Sequence, residues 1–411
     1  MKRTSTRARA TRAAVAAVFA LAVAGCGGDT SGEGSDGEGS GTDTASGFEA
    51  PDVPMAQKLG PGEGELSILA WPYYAEDGSN DPNADWVTPF EKETGCETSV
   101  KVFSTSDEAF NLMKTGDYDV VSASGDLSLR LIASGAAAPV NTDLIPNYAD
   151  VYDFLKNRDW NSVNDQSYGV PHGYGANLLM WRTDIVKPAP TSWSSVFEAD
   201  TPYAGKVTAY DSPIYIADAA LYLMNTQPDL GIENPYALDQ EQLDAAVEVL
   251  KTQRENIGEY WGDFLKHIQS FTTGDSVIGT TWQANVNALE ADKVPVKAIL
   301  PDEGSTGWSD TWMVSSKSEH PNCAYMWLNH IISPEGNAAV AEYFGESPAN
   351  PKSCDLTADK NFCDTYHAGD ASYAEKIWYW TTPIEQCLDG RTDVQCTDYG
   401  DWTQAWTEVK G

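Results

Sequence analysis

Basic residues are scarce in this sequence. The 411-residue chain carries 26 Lys and Arg against 61 Asp and Glu, a formal net charge of −35. A surface this negative repels phosphate backbones and anionic lipid, which argues against DNA, RNA and anionic membrane surfaces as partners. Histidine is scarcer still, with five residues in no ligand-like spacing, and no Cys-x-x-Cys occurs, so neither a zinc site nor any other metal or cofactor site is expected. The enzyme signatures Gly-x-Ser-x-Gly, His-Glu-x-x-His and the Walker loop are all missing. The Gly-rich stretch 32–37 is no phosphate loop, because it carries acids where phosphate needs Lys and no strand precedes it. The chain therefore reads as a non-enzyme, although 61 acids leave paired carboxylates for glycoside hydrolysis open. No second long apolar run follows the first 26 residues, so nothing later reaches the roughly 20 residues that a membrane-spanning helix needs.

What is present is the composition of a globular protein: 41% hydrophobic residues, 14 Trp and 19 Tyr. Single cores rarely grow beyond about 250–300 residues, so two lobes are expected. Lys2, Arg3, Arg7, Arg9 and Arg12 precede a short apolar run, 13–24, which ends in Val23-Ala24-Gly25-Cys26. That order predicts a lipoprotein signal peptide over 1–25, with Cys26 acylated as the first mature residue; ordinary cleavage beside an incidental Cys is the plainer reading. Residues 26–63 are poor in large apolar side chains and read as a flexible tether. Six cysteines remain, an even number in an exported chain. Six allow fifteen connectivities. The matched short spacings favour Cys354–Cys363 and Cys387–Cys396, which leaves Cys96 with Cys323.

The apolar pattern alternates strands and helices. Residues 66–71 read as a strand, 85–93 as a helix closed by Gly95, and 100–103 as the next strand. Ser106 or Asp107 is expected to cap the following helix, 119–121 to be a buried strand, and Asp126 to cap a helix ending near Gly135. A second region of the same style begins near Gly175. There Asp239 and Gln242 form a capping box ahead of the stripe Leu243, Ala246, Val247 and Leu250, and 277–279 and 296–299 read as strands. The fold class is α/β, each lobe a mainly parallel sheet flanked by helices. Ligands of such sheets sit beyond the carboxyl ends of the strands. Residues 71–74, 124–126 and 281–282 fall at those ends.

Several stretches in one order, 89–95, 113–121, 168–175, 191–197, 203–207 and 308–310, make the chain resemble the solute-binding proteins of bacterial ABC importers, in particular the spermidine/putrescine-binding branch. The resemblance runs from about Leu66 to the end. It implies a type II periplasmic-binding-protein fold that closes on its ligand, with lobe 1 over 64–175 and 309–350 and lobe 2 over 176–308 and 351–411. It also implies a monomeric receptor outside the cell membrane, lipid-anchored or periplasmic, that hands a small cationic solute to a permease and its ATPase. Carried over position by position, Trp71 and Tyr74 match the aromatic pair flanking a polyamine, and Ser124 and Asp126 the pocket positions after the third strand. Asp211 matches the acid opening the second lobe's binding helix, Trp282 an aromatic after a strand, and Trp308 with Asp310 a Trp-x-Asp pair that holds an amine. Glu346 falls where the pattern has Tyr. Trp380 lies near the last pocket position. The acid expected three residues beyond Asp211 is Ile214, which leaves the ligand's length and number of charges open.

Carboxylates for ammonium ends and aromatic faces for methylenes suit an alkyl polyammonium ligand. Plainer roles stand beside these. Capping alone accounts for Asp126, core packing for Trp282 and Trp308, and solvation for Glu346. Trp378, Tyr379 and Trp380 read as packing, and Asp218, one turn past Ile214, as facing water. A solute-binding protein for a mono-amine, an amino acid derivative or a sugar is the alternative function, and a surface hydrolase a remote one.

Overall fold

The computed structural model describes residues 48–411; the leader, Cys26 and residues 26–47 of the expected tether lie outside the described residues. Three strand–helix repeats open the fold. They are β1 (Glu65–Ala70), helix Val87–Thr94, β2 (Glu97–Val102), helix Ser106–Met113, β3 (Val120–Ala123) and helix Gly125–Ala133. The short β4 (Ala137–Ala138), a hairpin of β5 (Ser162–Val163) and β6 (Gln166–Ser167), and β7 (Gly169–Pro171) complete the first lobe's early part. β8 (Gly173–Ala176) carries the chain across to β9 (Leu178–Arg182), β10 (Val207–Tyr210), β11 (Ile257–Trp261), β12 (Ile278–Thr281) and β13 (Val296–Ile299). β14 (Ser305–Trp308) returns it to β15 (Thr311–Ser315). β16 (Ser347–Pro348), β17 (Ile377–Tyr379) and the helix Tyr399–Lys410 close the chain.

The first sheet has the order β2-β1-β3-β15-β4, with β7 on β15, and the second the order β11-β10-β12-β9-β13. In each, all strands but one run in the same direction, as the βαβ pattern predicts; the exceptions are the strands arriving from the other lobe, β15 in the first sheet and β9 in the second. β15 and β9 enter their sheets from the end nearest the other lobe, so they cannot run with the strands already there. A third sheet, β16-β8-β14-β17, joins the lobes.

Alternation along β1 explains why the first sheet is covered on both faces. Leu66, Ile68 and Ala70 face one cluster with Val120, Trp312 and Trp327; Leu69 faces the other with Val121, Leu127 and Met313. The second lobe's core gathers the helix Gln240–Arg254, whose buried residues include Leu243, Ala246, Val247 and Leu250. Its start is a complete capping box: the Asp239 carboxylate accepts from the Gln242 amide at 3.0 Å, and the Gln242 side chain accepts from the Asp239 amide at 3.1 Å. Such a cap contributes about 1 kcal/mol.

Two expected caps are corrected. Thr105, not Ser106 or Asp107, caps the second helix, its hydroxyl accepting from the Glu108 amide at 3.1 Å. Ser124 occupies the cap position of helix Gly125–Ala133, which places Asp126 inside the first turn with its carboxylate turned elsewhere. Segment assignments change too. Residues 48–63 pack on the first lobe: Phe48 and Ala50 lie against one cluster and Ala56 and Leu59 against the other, enough apolar surface to hold a stretch that reads as polar. Glu63 then accepts from the Asn322 and Cys323 amides at 3.0 and 2.9 Å, at the start of helix Pro321–Ile331. Residues 351–379, read as lobe 2, contact lobe 1. Lys352 pairs with Asp150 at 2.7 Å, and Ile377 and Tyr379 join the first cluster. All three expected disulfides are formed, Cys96–Cys323, Cys354–Cys363 and Cys387–Cys396.

Candidate functional site

The loop leaving β1 reverses at Tyr73, whose φ of 73° is left-handed, and the turn closes with the Tyr74 amide donating to the Trp71 carbonyl at 3.3 Å. Tyr73 is thereby left in solvent while Tyr74 is fully buried. From there the Tyr74 hydroxyl donates to Asp310 Oδ2 at 2.7 Å and lies 3.2 Å from Glu346 Oε2. One hydroxyl hydrogen thus serves two buried carboxylates. The second oxygens, Asp310 Oδ1 and Glu346 Oε1, have no hydrogen-bond partner.

Among the described residues, no cation answers this pair. His172 Nε2 lies 3.4 Å from Glu346 Oε1, but burial depresses the imidazole pKa to about 3, so His172 is neutral at pH 7. Burial raises Asp310 to about 6, with repulsion from Asp126 adding to the shift and the Tyr74 and Ser124 hydroxyls opposing it. Burial and then the Asp310 charge push Glu346 well above the ordinary carboxylate range. Gly173 is what admits Glu346: a Cβ there would fall 2.1 Å from the Glu346 carboxyl carbon.

Trp71 is held on the first-lobe side, its amide donating to Ser122 Oγ at 2.9 Å and its indole to Ser124 Oγ at 3.0 Å, with its ring 4.4 Å from Phe103. Asp126 is buried, and its two oxygens accept from Ser106 Oγ at 3.0 Å and Tyr399 Oη at 3.2 Å. Burial nonetheless raises its pKa, against the stabilising Ser106 hydroxyl and Arg130 charge.

The second lobe supplies aromatic faces. Trp282 follows β12 and donates its indole N–H to Asn177 Oδ1 at 3.0 Å; its ring meets Tyr210 at 5.6 Å, Trp261 at 4.8 Å and Trp308 at 6.4 Å. Tyr210 stacks on Trp380, and its hydroxyl is pushed up by burial and then by Asp126 and Asp310. Phe344 sits edge-on to Trp308 at 5.8 Å and 4.6 Å from Tyr74.

Six of the nine expected site residues, Trp71, Tyr74, Ser124, Trp308, Asp310 and Glu346, are thus linked directly or through one neighbour, and Asp126 reaches them only through its charge on Asp310. Trp282 joins them through Trp308. Asp211 does not join them. Its carboxylate pairs with Lys410 at 2.7 Å and accepts from Trp406 Nε1 at 3.3 Å, both on the C-terminal helix. Ile214 is core. Asp218 is corrected: it is buried, not facing water, because helix Ile216–Thr226 is packed on all sides through its first turns. Among the described residues, neither of its oxygens has a hydrogen-bond partner of good geometry. Burial raises its pKa to about 8, with the Thr306 hydroxyl offsetting this only in part. Sequence reasoning missed Tyr210, Phe344 and His172. Tyr210 had a usable signal, since it ends a strand directly before Asp211. Among the described residues, no group of three His, Cys, Asp or Glu side chains is placed to hold a metal ion.

A spermidine/putrescine-binding periplasmic protein of Haemophilus influenzae is 22% identical over 334 residues, 76% of this chain and 87% of the relative. The putrescine-binding protein SpuD of Pseudomonas aeruginosa is 26% identical over 281 residues, 63% of this chain and 74% of its own. Among solved structures, the spermidine/putrescine ABC transporter substrate-binding protein PotD of Streptococcus pneumoniae superposes with a TM-score of 0.65 at 17% identity, covering 85% of this chain and 98% of the other. This likeness extends to the two-lobe fold. The family model described as bacterial extracellular solute-binding protein matches residues 85–364, well over half the sequence, and the chain belongs to that family of binding proteins.

Proposed function

We propose that the protein captures a cationic amine of the polyamine type between its lobes and hands it to an ABC permease, held at the outer face of the membrane through an acylated Cys26. The observation that carries the ligand class is the buried pair Asp310 and Glu346, which shares the Tyr74 hydroxyl, keeps one free oxygen on each carboxylate and faces a neutral histidine. Buried carboxylates are stable only when paired or protonated. An ammonium group supplies the missing charge and donors, and Trp308, Phe344, Trp282 and Tyr210 provide apolar faces for the carbon chain. The names of the relatives, spermidine- and putrescine-binding, support the same class. Asp211, tied to Lys410, is not the reader of a further charge.

Calorimetry with putrescine, spermidine and butylamine tests this. Asp310→Asn keeps the shape and removes the charge, so binding of each amine should weaken by roughly 10- to 150-fold, the worth of one charge-assisted hydrogen bond. Unchanged affinity for all three would remove Asp310 from the site. The anchor is tested separately: Cys26→Ala should move the protein from the membrane fraction to the medium or leave the leader uncleaved.

A further inference from the structure

The C-terminal helix Tyr399–Lys410 belongs to the second lobe. Trp402, Trp406 and Val409 lie in that lobe's core, Lys410 pairs with Asp211 at 2.7 Å, and a capping box of Asp398 and Asp401 fixes the helix start. Its first residue reaches the other lobe. Tyr399 is buried, and its hydroxyl donates to Asp126 Oδ2 at 3.2 Å. The Arg130 guanidinium sits over the Tyr399 ring at 4.5 Å and over the Phe110 ring at 4.6 Å, so one cation is held between two rings. Asp126 and Arg130 stand one turn apart on helix Gly125–Ala133, and Phe110 lies on the helix before it. This first-lobe socket is held without Tyr399: Ser106 Oγ donates to Asp126 Oδ1 at 3.0 Å, and Arg130 pairs with Asp107 at 2.8 Å.

We propose that Tyr399 and this socket form a clasp between the lobes, in which Tyr399 and Arg130 set the affinity for solute without touching it. The inference rests on the reading of the cleft as a capture site and adds what holds its two walls together. Each Asp126 oxygen already has a donor, so this carboxylate serves the contact between lobes instead of a solute. Arg130 Nη1 is buried and, among the described residues, has no hydrogen-bond acceptor, so the ring faces offset its desolvation. Neither Tyr399 nor Arg130 lies in the sheet that joins the lobes. Swinging one lobe away from the other therefore draws Tyr399 out of the socket, which takes a donor from Asp126 and a ring from Arg130. The clasp adds its strength to the state in which the lobes meet. A solute gripped by both lobes binds that state, and its apparent affinity scales with the population of the state. Weakening the clasp thus lowers affinity for every such solute by one factor, whatever its length or charge, which sets Tyr399 apart from a residue that contacts the solute.

The test applies calorimetry with putrescine and butylamine to the wild-type chain and to Tyr399→Phe, Tyr399→Ala and Arg130→Met, together with small-angle X-ray scattering of the same proteins without solute. Tyr399→Ala loses a hydrogen bond to a carboxylate and a cation–π contact, and should weaken both amines alike by roughly 5- to 100-fold. Arg130→Met removes the cation and should weaken both by roughly 2- to 30-fold. Tyr399→Phe keeps the ring and should weaken both by roughly 3- to 10-fold, which carries the test if Tyr399→Ala fails to fold. In scattering, Tyr399→Ala should have a larger radius of gyration than the wild type. Wild-type affinity for both amines in Tyr399→Ala overturns the clasp, and so does a loss confined to one amine, which would mark contact with the solute. Equal radii of gyration overturn it too. That arm needs no solute: should the wild type bind no amine, the functional reading falls, and the scattering still judges the clasp.

Discussion

Replacing Asp218 with Asn removes a buried carboxyl group whose charged form the second lobe stabilises only weakly, through Thr306. The carboxylate is buried in helix Ile216–Thr226, neither oxygen has a hydrogen-bond partner of good geometry among the described residues, and burial holds its pKa at about 8. In the unfolded chain the group titrates near the ordinary Asp value of about 3.9. The folded state therefore keeps a proton that the unfolded state gives up across that interval. Stability from this group is fully present below about pH 4 and is lost as pH rises toward 8, at about 1.4 kcal/mol per pH unit, the linkage slope for one proton. Over the whole window the loss is on the order of 5 kcal/mol. Asn is nearly isosteric and neutral in both states, so Asp218→Asn should match the wild type near pH 4 and exceed it increasingly toward pH 8. Urea unfolding followed by the fluorescence of the 14 Trp residues at stepped pH measures the gap directly. Parallel stability curves for the two proteins would show that Asp218 ionises freely in the folded state, and the reasoning from burial would be wrong.

Amine binding should strengthen from pH 5 to 8 and release protons, because Asp310, raised to about 6, and Glu346, raised further, must ionise to receive a cation; calorimetry in buffers of different ionisation enthalpy reads the release, and a pH-independent affinity contradicts it. Cys96 and Cys323 are 227 residues apart, so removing that disulfide should cost about 5 kcal/mol by loop-closure entropy, against about 2.7 kcal/mol for Cys354–Cys363, whose separation is 9. Equal urea midpoints for the two double Cys→Ser variants would refute the entropic ranking. Gly125→Ala places a Cβ 1.6 Å from the Trp380 carbonyl oxygen, so it should destabilise by at least about 1–3 kcal/mol, the usual cost of overpacking. Wild-type stability in that variant would mean that the helix and the Trp380 backbone do not meet in solution.

The βαβ repeats were legible because each strand and helix shows its period over several residues and each of the three helices is followed closely by a left-handed glycine, Gly95, Gly116 and Gly135. The partition into lobes was less so. Which lobe owns 351–379 depends on the pairing of β14 with β17 and on contacts of Lys352, Ile377 and Tyr379, none of which leaves a local pattern. For the candidate site, a family pattern tied to strand ends picked out Trp71, Tyr74, Trp308 and Asp310, which the fold brings near one another. Asp126, Asp211 and Asp218 show what such a pattern leaves out. A carboxylate one position inside a helix looks like a cap, one at a strand end looks like a ligand, and one amid Ala and Ile looks solvated. Their surroundings differ in each case: Ser106 and Tyr399 for the first, Lys410 and Trp406 for the second, and burial relieved only in part by Thr306 for the third.

The sheet joining the lobes has a mechanical consequence. β8, β14 and β17 are hydrogen-bonded side by side, with β16 on the edge of β8, so the passages between lobes form one ribbon instead of independent cords. A ribbon resists shear and stretching along its strands, since each would break ladder bonds, but bends easily across them. Any opening of the cleft is thereby confined to a single bending axis, like a book on its spine. Trp308 ends the ribbon and Asp310 stands just beyond it, ahead of β15. Bending at that edge changes the angle between indole and carboxylate directly. On the proposed binding site, a solute that locks the two together would stiffen the spine itself.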